Sequence, residues 1–90
     1  MKLQILVPQY KETDDIIKPL LDSIEVQQYV DLKNDVGVII VNDGTNVRLS
    51  DDLFSRYSYP IEYHFHEHKG VSATRNACLD YATADYVMFC

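Results

Sequence analysis

The fold is decided by a continuous apolar stretch in the middle of the chain, Val36-Gly37-Val38-Ile39-Ile40-Val41. Most of these residues are β-branched, and such an uninterrupted run is typical of a strand that is buried on both faces of a sheet. A dense turn signal follows at once, Asn42-Asp43-Gly44-Thr45-Asn46. This pattern predicts a buried parallel strand whose carboxyl end opens into a polar turn.

Before this strand, the sequence predicts one strand and one helix. Residues 2–7 are rich in β-formers and stop at Pro8, which has no N–H to donate and is expected to end the strand. Thr13-Asp14-Asp15 predicts a side-chain N-cap with carboxylates in the first helical turn. The helix carries Pro19 and an apolar stripe made of Ile16, Ile17, Leu20, Leu21 and Ile24.

After the buried strand, the same alternation continues. Ser50-Asp51-Asp52 predicts the cap of a second helix, which carries Leu53, Phe54 and Tyr57. A third strand is predicted over Ile61–His66, a third helix over Ser72–Ala82 and a fourth strand over Asp85–Phe89. The order β-α-β-α-β-α-β requires right-handed crossovers, so we expect an α/β, Rossmann-like parallel sheet covered on both faces.

Composition limits the classes of function. The 90 residues allow one small domain, and 47% apolar with 24% charged residues is typical of a globular protein. Eight Lys and Arg against fourteen Asp and Glu give a net charge of −6, which argues against a nucleic-acid-binding protein. The sequence has no apolar run long enough for a membrane span or a signal peptide. We therefore expect a cytoplasmic chain in which Cys78 and Cys90 are free thiols.

Ligands of such sheets bind beyond the carboxyl ends of the strands, where this chain has three polar segments, 8–12, 42–46 and 66–75. Asp43 either accepts from a base imide or a ribose hydroxyl, or closes an Asx-turn on its own backbone. Tyr10 either stacks on a base or is a half-buried loop tyrosine. Glu12 is either a ligand contact or a solvated charge.

The segment from Lys69-Gly70 to Arg75 combines basic residues, a flexible glycine and a helix N-terminus, where free N–H groups attract anions. Arg75 either reaches a phosphate or Asp43, or pairs with a surface carboxylate. The segment is not a P-loop, because the GxxxxGK[ST] pattern is absent.

Three histidines, His64, His66 and His68, alternate along the third strand and its end, so they are directed to one face. A metal site is one interpretation, and a patch of exposed histidines at the sheet edge is the preferred one, since no carboxylate or cysteine completes a defined spacing. Cys78 lies among apolar residues of the third helix and is expected to be a buried structural thiol.

Four blocks of the chain together resemble the GT-A family 2 glycosyltransferases, whose pattern reads VPxYNE, VDDGS, GxSxARNxG and YxxFLDxDD. The matching blocks, in the same order, are Ile5–Glu12, Val38–Thr45, Gly70–Asn76 and Asp85–Phe89. The chain departs from the pattern at Lys11, Asn42, Thr45, Thr74 and Cys78. Asn42, which replaces the first aspartate, makes the base preference harder to infer.

The resemblance implies half of a GT-A domain with strand order 3-2-1-4, and residues 1–90 as the N-terminal nucleotide-binding part of a larger catalytic domain. Pro8 and Tyr10 would line the base pocket, Asp43 would read the base edge and Arg75 would support the base or phosphate. The full set implied for the nucleotide-sugar is Pro8, Tyr10, Glu12, Asp43, Gly44, Lys69, Gly70 and Arg75.

The resemblance also implies an inverting transfer of a sugar from a nucleotide-diphospho-sugar, with a UDP-sugar preferred, to a glycan, lipid-linked or other hydroxyl acceptor. The parent would use Mn²⁺ or Mg²⁺ held by a DxD motif expected just after Cys90, and its general base would also lie downstream. We thus expect no catalytic residue or metal ligand in these ninety residues. Membrane association of the parent is compatible with this expectation.

Two further expectations remain from the sequence. The alternative function is a non-enzymatic, doubly wound α/β module that binds a partner. In either case the strand over residues 85–89 would lie at the sheet edge with its outer side bare, and apolar bare edges recruit other chains. We therefore expect self-association through this strand.

Overall fold

Eight elements of secondary structure follow one another in a computed structural model, which describes residues 2–27 and 31–90. In chain order they are β1 (Leu3–Gln9), α1 (Asp14–Glu25), α2 (Leu32–Asp35), β2 (Val36–Asp43), α3 (Asp51–Phe54), β3 (Ile61–His66), α4 (Val71–Tyr81) and β4 (Tyr86–Phe89). The predicted α/β alternation is confirmed, with the short α2 as an addition. Within the described part of the chain, no helix is long and apolar enough to cross a membrane.

The four strands form one parallel sheet in the order β3-β2-β1-β4, which confirms the predicted 3-2-1-4 order. β1 and β2 pair along seven positions, from Leu3 with Val36 to Gln9 with Asn42. Asp43, the last residue of β2, pairs with His66, the last residue of β3. The register therefore brings the carboxyl ends of these three strands to one edge of the sheet.

The core has two layers, one on each face of the sheet. On one face, Ile17, Leu21 and Ile24 of α1 pack against apolar residues that include Ile5, Val7, Val38 and Ile40. On the other face, Cys78 of α4 packs against Leu6, Ile39 and Val41. Every residue of β2 is buried, as its sequence predicts. Cys78 is fully buried, and burial raises the pKa of its thiol to about 11, as expected for an unreactive structural cysteine.

Pro8 does not end the first strand, contrary to the prediction. It lies inside β1, opposite Val41. The physical reason is the direction of its missing N–H. The carbonyl of Leu6 accepts from the amide of Cys90, so the backbone groups of Leu6 point toward β4. Pro8 lies two residues further along β1, so its nitrogen points to the same side. β4 pairs only with Leu3–Leu6, and a ladder donor from Pro8 is therefore not required.

The helix ends also differ from the prediction. Thr13 is the N-cap of α1 but makes no side-chain cap hydrogen bond, and Ser50 makes none at α3. Instead the Ser50 hydroxyl donates to the Asp14 carboxylate at 2.7 Å, which joins the two helix starts.

Two further features of the helices differ from the prediction. α3 is a single turn that ends before Tyr57. Ile16 is 62% exposed, although the predicted apolar stripe of α1 included it. Pro19 lies in the second turn of α1.

Candidate functional site

A cleft of about 240 Å³ opens at the carboxyl ends of β1 and β2, on the α4 side of the sheet. Its lining contains five of the residues predicted for the site, Pro8, Tyr10, Glu12, Asp43 and Gly70. Gln9, His68, Val71 and Thr74 complete the lining. Gly44, Lys69 and Arg75, which were also predicted, lie outside it.

The loop after β1 is held in place by its own polar groups. The Tyr10 amide donates to Glu12 Oε2 at 2.7 Å, and the Tyr10 carbonyl accepts from the Thr45 hydroxyl. Glu12 therefore closes its own loop as well as lining the cleft. The Tyr10 ring remains 44% exposed, with the Lys11 ammonium 5.1 Å from its centroid. An exposed, fixed tyrosine ring is suited to stacking on a base.

Asp43 is almost completely buried at the floor of the cleft, with 4% of its surface exposed. Its Oδ1 accepts from the Lys69 amide at 2.9 Å and lies 3.2 Å from His66 Nε2. Its Oδ2 accepts from the Gly70 amide at 3.2 Å and lies 3.1 Å from His68 Nδ1. A carboxylate has about four lone-pair positions, so these partners occupy them all.

The electrostatics of Asp43 follow from these partners. Burial by itself raises the pKa of the carboxyl, but the hydrogen bonds from the amides of Lys69 and Gly70, together with the His68 imidazole, outweigh that effect. The pKa of Asp43 is therefore lowered, and the group is a carboxylate at neutral pH. Its partners lie across the fold, so the Asx-turn interpretation is wrong for Asp43.

Asn42 instead bonds the local backbone, three residues further along the chain. Its Oδ1 accepts from the Thr45 amide at 2.8 Å, and its Nδ2 donates to the Val47 carbonyl and the Tyr63 hydroxyl. The Tyr63 hydroxyl in turn donates to Gln9 Oε1 at 2.6 Å. We call Gln9, Asn42 and Tyr63 the amide cluster. It was not predicted from the sequence, and it supports the cleft from the opposite face of the sheet.

Two glycines have distinct roles. Gly44 has φ +68°, and a Cβ there would lie 2.3 Å from the backbone nitrogen of His68. This position thus requires glycine for both conformation and space. Gly70 has φ +94° and open space around it, and its amide donates to Asp43 at the start of α4.

The three histidines do not form the predicted exposed patch. His64 stacks flat on Tyr81, with ring centroids 3.7 Å apart, while His66 and His68 converge on Asp43. We call Asp43, His66 and His68 the carboxylate cluster. Over residues 2–27 and 31–90, no group of three or more His, Cys, Asp or Glu side chains is arranged to hold a metal ion. The pairing of Asp43 with His66 was implicit in the predicted strand order, which places the two strand ends side by side.

The predicted basic residues have other contacts. The Arg75 guanidinium lies 4.6 Å from the centroid of the Phe89 ring, so it does not hold Asp43. Lys69 contacts Asp43 only through its backbone amide. The expected support of Asp43 by a basic side chain is thus replaced by two amides and two imidazoles.

Comparison with known proteins identifies the family of this chain. The family model described as "Glycosyl transferase family 2" matches residues 4–90. The chain belongs to this family. Its membership does not favour the alternative of a non-enzymatic partner-binding module.

A relative and a solved structure extend the comparison. The chain is 31% identical over 90 residues to the glycosyltransferase GlyA of Streptococcus pneumoniae. The match covers 98% of this chain and 12% of that protein. It also resembles the crystal structure of S. aureus TarS 1-349, with a TM-score of 0.77 and 22% identity, over 100% of this chain and 27% of that one. The TarS likeness supports the GT-A fold, and the chain spans only a small part of either protein.

The family pattern can now be placed on the geometry. Asn42, where the pattern has its first aspartate, points away from the cleft into the amide cluster. Its lost charge is therefore remote from a ligand in the cleft. Thr74, where the pattern has alanine, donates from its hydroxyl to the Gly70 carbonyl and lies 3.0 Å from His66 Nε2, so it steadies the start of α4.

Proposed function

We propose that this chain is the part of a family 2 glycosyltransferase that binds the nucleotide of a nucleotide-diphospho-sugar donor. The observation that carries the proposal is the cleft itself. It brings the exposed Tyr10 ring, the Asp43 carboxylate and the start of α4 to one place in a chain of this family. A flat aromatic surface beside a helix N-terminus suits a base linked to a phosphate group.

In this proposal the predicted site residues divide by role. Pro8 and Tyr10 form the surface for the base, with Glu12 fixing the Tyr10 loop. Asp43 and Gly70 form the floor, and Gly44 and the Lys69 amide keep that floor in place. Arg75 lies at the carboxyl end of β4, beside Phe89, where it would support the phosphate side.

We infer a UDP-sugar as the donor, an inverting transfer, and a glycan, lipid-linked or other hydroxyl acceptor, as in polysaccharide synthesis. The described residues offer no three-ligand set for Mn²⁺ or Mg²⁺, so in this proposal the ion is held by other residues of the parent enzyme. Such an ion neutralises the charge of a departing nucleoside diphosphate. The general base likewise belongs to the rest of the parent.

The test is a titration of the ¹⁵N-labelled protein with UDP and, separately, GDP. We expect the Tyr10 and Asp43 amide signals to shift with a Kd of roughly 1 mM, about −4 kcal/mol, and UDP to bind more tightly than GDP. Tyr10→Ala should weaken binding about fivefold or more, because base stacking is lost. Tyr86→Ala is the matched control, since this exposed tyrosine lies at the amino end of β4. Unchanged Tyr10 and Asp43 signals at high nucleotide would refute the proposal.

We also propose that the chain self-associates through β4. In the described part of the sheet, β4 pairs only with β1, and its Tyr86 and Met88 are 74% and 50% exposed. β3, at the other edge, carries Glu62 and His64 instead. Met88→Lys should reduce the mass measured by light scattering, because charge on an edge strand opposes pairing. Glu62→Lys is the control, and a wild-type monomer at high concentration would contradict the proposal.

We infer a reducing, cytoplasmic environment for this part of the protein. Both cysteines are free thiols, with Cys78 buried and Cys90 exposed. Exposed thiols persist in reducing compartments and are oxidised elsewhere. An alkylation assay on protein taken from its native cells should modify Cys90 fully without prior reduction.

A further inference from the structure

The cleft proposed for the nucleotide has one lining residue that can carry a positive charge, His68. A nucleoside diphosphate is an anion, and the chain as a whole has a net charge of −6. The two cations predicted for this purpose, Lys69 and Arg75, have no side chain in the described lining. Among the side chains that line the cleft, the imidazole of His68 is therefore the one that can bring a positive charge to a phosphate.

The position of His68 is set by Asp43. His68 Nδ1 lies 3.1 Å from Asp43 Oδ2 and 3.3 Å from the Asp43 carbonyl. Both oxygens are acceptors, so Nδ1 carries the proton in either charge state. The other ring nitrogen, Nε2, has no hydrogen-bond partner among the described residues, and 60% of the side chain is exposed. A ring held at one nitrogen and open at the other is arranged to bind a ligand.

Titratable groups from three segments of the chain surround His68. Asp43, at the end of β2, contacts the His68 ring through Oδ2. His66, at the end of β3, contacts the other oxygen of that carboxylate, Oδ1. From the loop after β1, Tyr10 lies with its ring centroid 5.3 Å from that of His68, with Lys11 over the Tyr10 ring and Glu12 on the Tyr10 amide. Lys69, next along the chain, donates its amide to Asp43.

We propose that His68 is the phosphate-contacting residue of the cleft, donating from Nε2–H to a phosphate oxygen of the nucleoside diphosphate, and that Asp43 is its positioning residue. The inference rests on the proposed function. It assigns Asp43, whose oxygens are already occupied, to orienting the imidazole rather than to reading the base. The helix dipole at the start of α4, where Val71 also lines the cleft, favours the same anion.

The experiment compares two probes at two pH values by amide chemical shift. UDP-glucose carries phosphates that do not titrate between about pH 6 and about pH 8, the range in which an ordinary histidine loses its proton. Uridine has the same base and ribose without phosphate. We expect UDP-glucose to bind about threefold to tenfold more tightly at the lower pH, as a charge-assisted hydrogen bond predicts. Uridine should bind equally at both.

Variants and ring signals add independent readouts. His68→Gln should abolish the pH dependence, while His64→Gln, which removes a histidine stacked on Tyr81 and outside the cleft, should retain it. In the wild-type protein, the pH at which the His68 ring nitrogens titrate should rise when UDP-glucose binds, while that of His64 should not move. This last measurement needs no substitution, so it stands even if a variant fails to fold.

The outcomes separate this inference from the proposed function. If uridine and UDP-glucose both bind, but UDP-glucose does so equally at both pH values with no change at the His68 ring, then the His68 role is wrong and the nucleotide site stands. If neither probe shifts the cleft signals, the proposed function fails and takes this inference with it.

Discussion

Asn42 and Asp43 are neighbours at the end of β2, yet they belong to clusters of opposite character. Successive residues of a strand point to opposite faces, so Asn42 joins the amide cluster beneath the sheet edge and Asp43 joins the carboxylate cluster in the cleft. The amide cluster is neutral, closed and made of groups that bond one another. The carboxylate cluster is charged, titratable and open to a ligand at His68. A single strand end thus supplies both the support and the surface proposed to contact the ligand.

Gly44→Ala should have the largest effect, because Gly44 lies between the two clusters and its loss disturbs both. The new Cβ would lie 2.3 Å from a backbone nitrogen at a φ of +68°. Strain of ~1–3 kcal/mol and overpacking of ~1–3 kcal/mol together predict a loss of about 4 kcal/mol in the free energy of unfolding. Urea unfolding measures this.

Gly70→Ala is the matched control for that substitution. Gly70 also has a positive φ, +94°, but open space around its Cβ position, so only the conformational strain applies. We expect a loss of about 1 kcal/mol. Equal losses for the two variants would show that the close approach to His68 is unimportant.

Asn42→Asp separates the clusters by damaging only the amide cluster, although it restores the first aspartate of the family pattern. A carboxylate there would face the Val47 carbonyl without an amide to donate, in a fully buried position. Burial of an unpaired charge predicts a loss of about 3 kcal/mol in urea unfolding. An unchanged stability would mean that this position tolerates a buried carboxylate without the amide donor of asparagine.

Much of this contrast follows from the sequence, and the rest depends on distances that a sequence does not contain. The apolar pattern of Val36–Val41 predicts a central buried strand, and the family order brings segments 8–12, 42–46 and 66–75 together. The sequence placed Asn42 and Asp43 in a turn, whereas β2 continues through them. Their assignment to opposite faces was therefore missed.

The contacts of the basic residues were also beyond reach of the sequence. Lys69 and Arg75 have the right chemistry for Asp43, but the path of residues 67–70 presents two amides and an imidazole to it instead. The geometry of this loop, rather than side-chain charge alone, decides which groups reach the Asp43 carboxylate. Arg75 lies instead over the ring of Phe89, the last residue of β4.

Asp43→Asn damages only the carboxylate cluster and should make its contribution visible as a pH dependence. The pKa of Asp43 is lowered on folding, so its carboxylate stabilises the protein at pH values above the ordinary unfolded pKa of about 3.9. That contribution is lost as the pH falls through the lower folded value. We expect the variant to be about 2 kcal/mol less stable at about pH 7, from hydrogen bonds to a charged group.

The two proteins should converge in stability as the pH falls below about 4, where the unfolded carboxyl takes up its proton. Urea unfolding at about pH 3 and about pH 7 measures the convergence. A difference that stays constant over this range would show that the amide of an asparagine fails for reasons of shape and that charge is not the cause.

Tyr63→Phe is the mildest way to open the amide cluster, because it removes one hydroxyl and keeps the ring that packs beside Phe54. The hydroxyl donates to Gln9 and accepts from Asn42 and from the Leu49 amide, so its loss leaves buried groups without partners. We expect a loss of about 1.5 kcal/mol in the free energy of unfolding.

Tyr57→Phe, the control, removes a single bond to the half-exposed Asp22 carboxylate and should cost about 0.5 kcal/mol. Because Tyr63 itself does not line the cleft, Tyr63→Phe should leave the pH dependence of UDP-glucose binding intact. If that dependence disappears while the fold survives, the two clusters are coupled through β2, and their division into support and ligand-contacting surface is wrong.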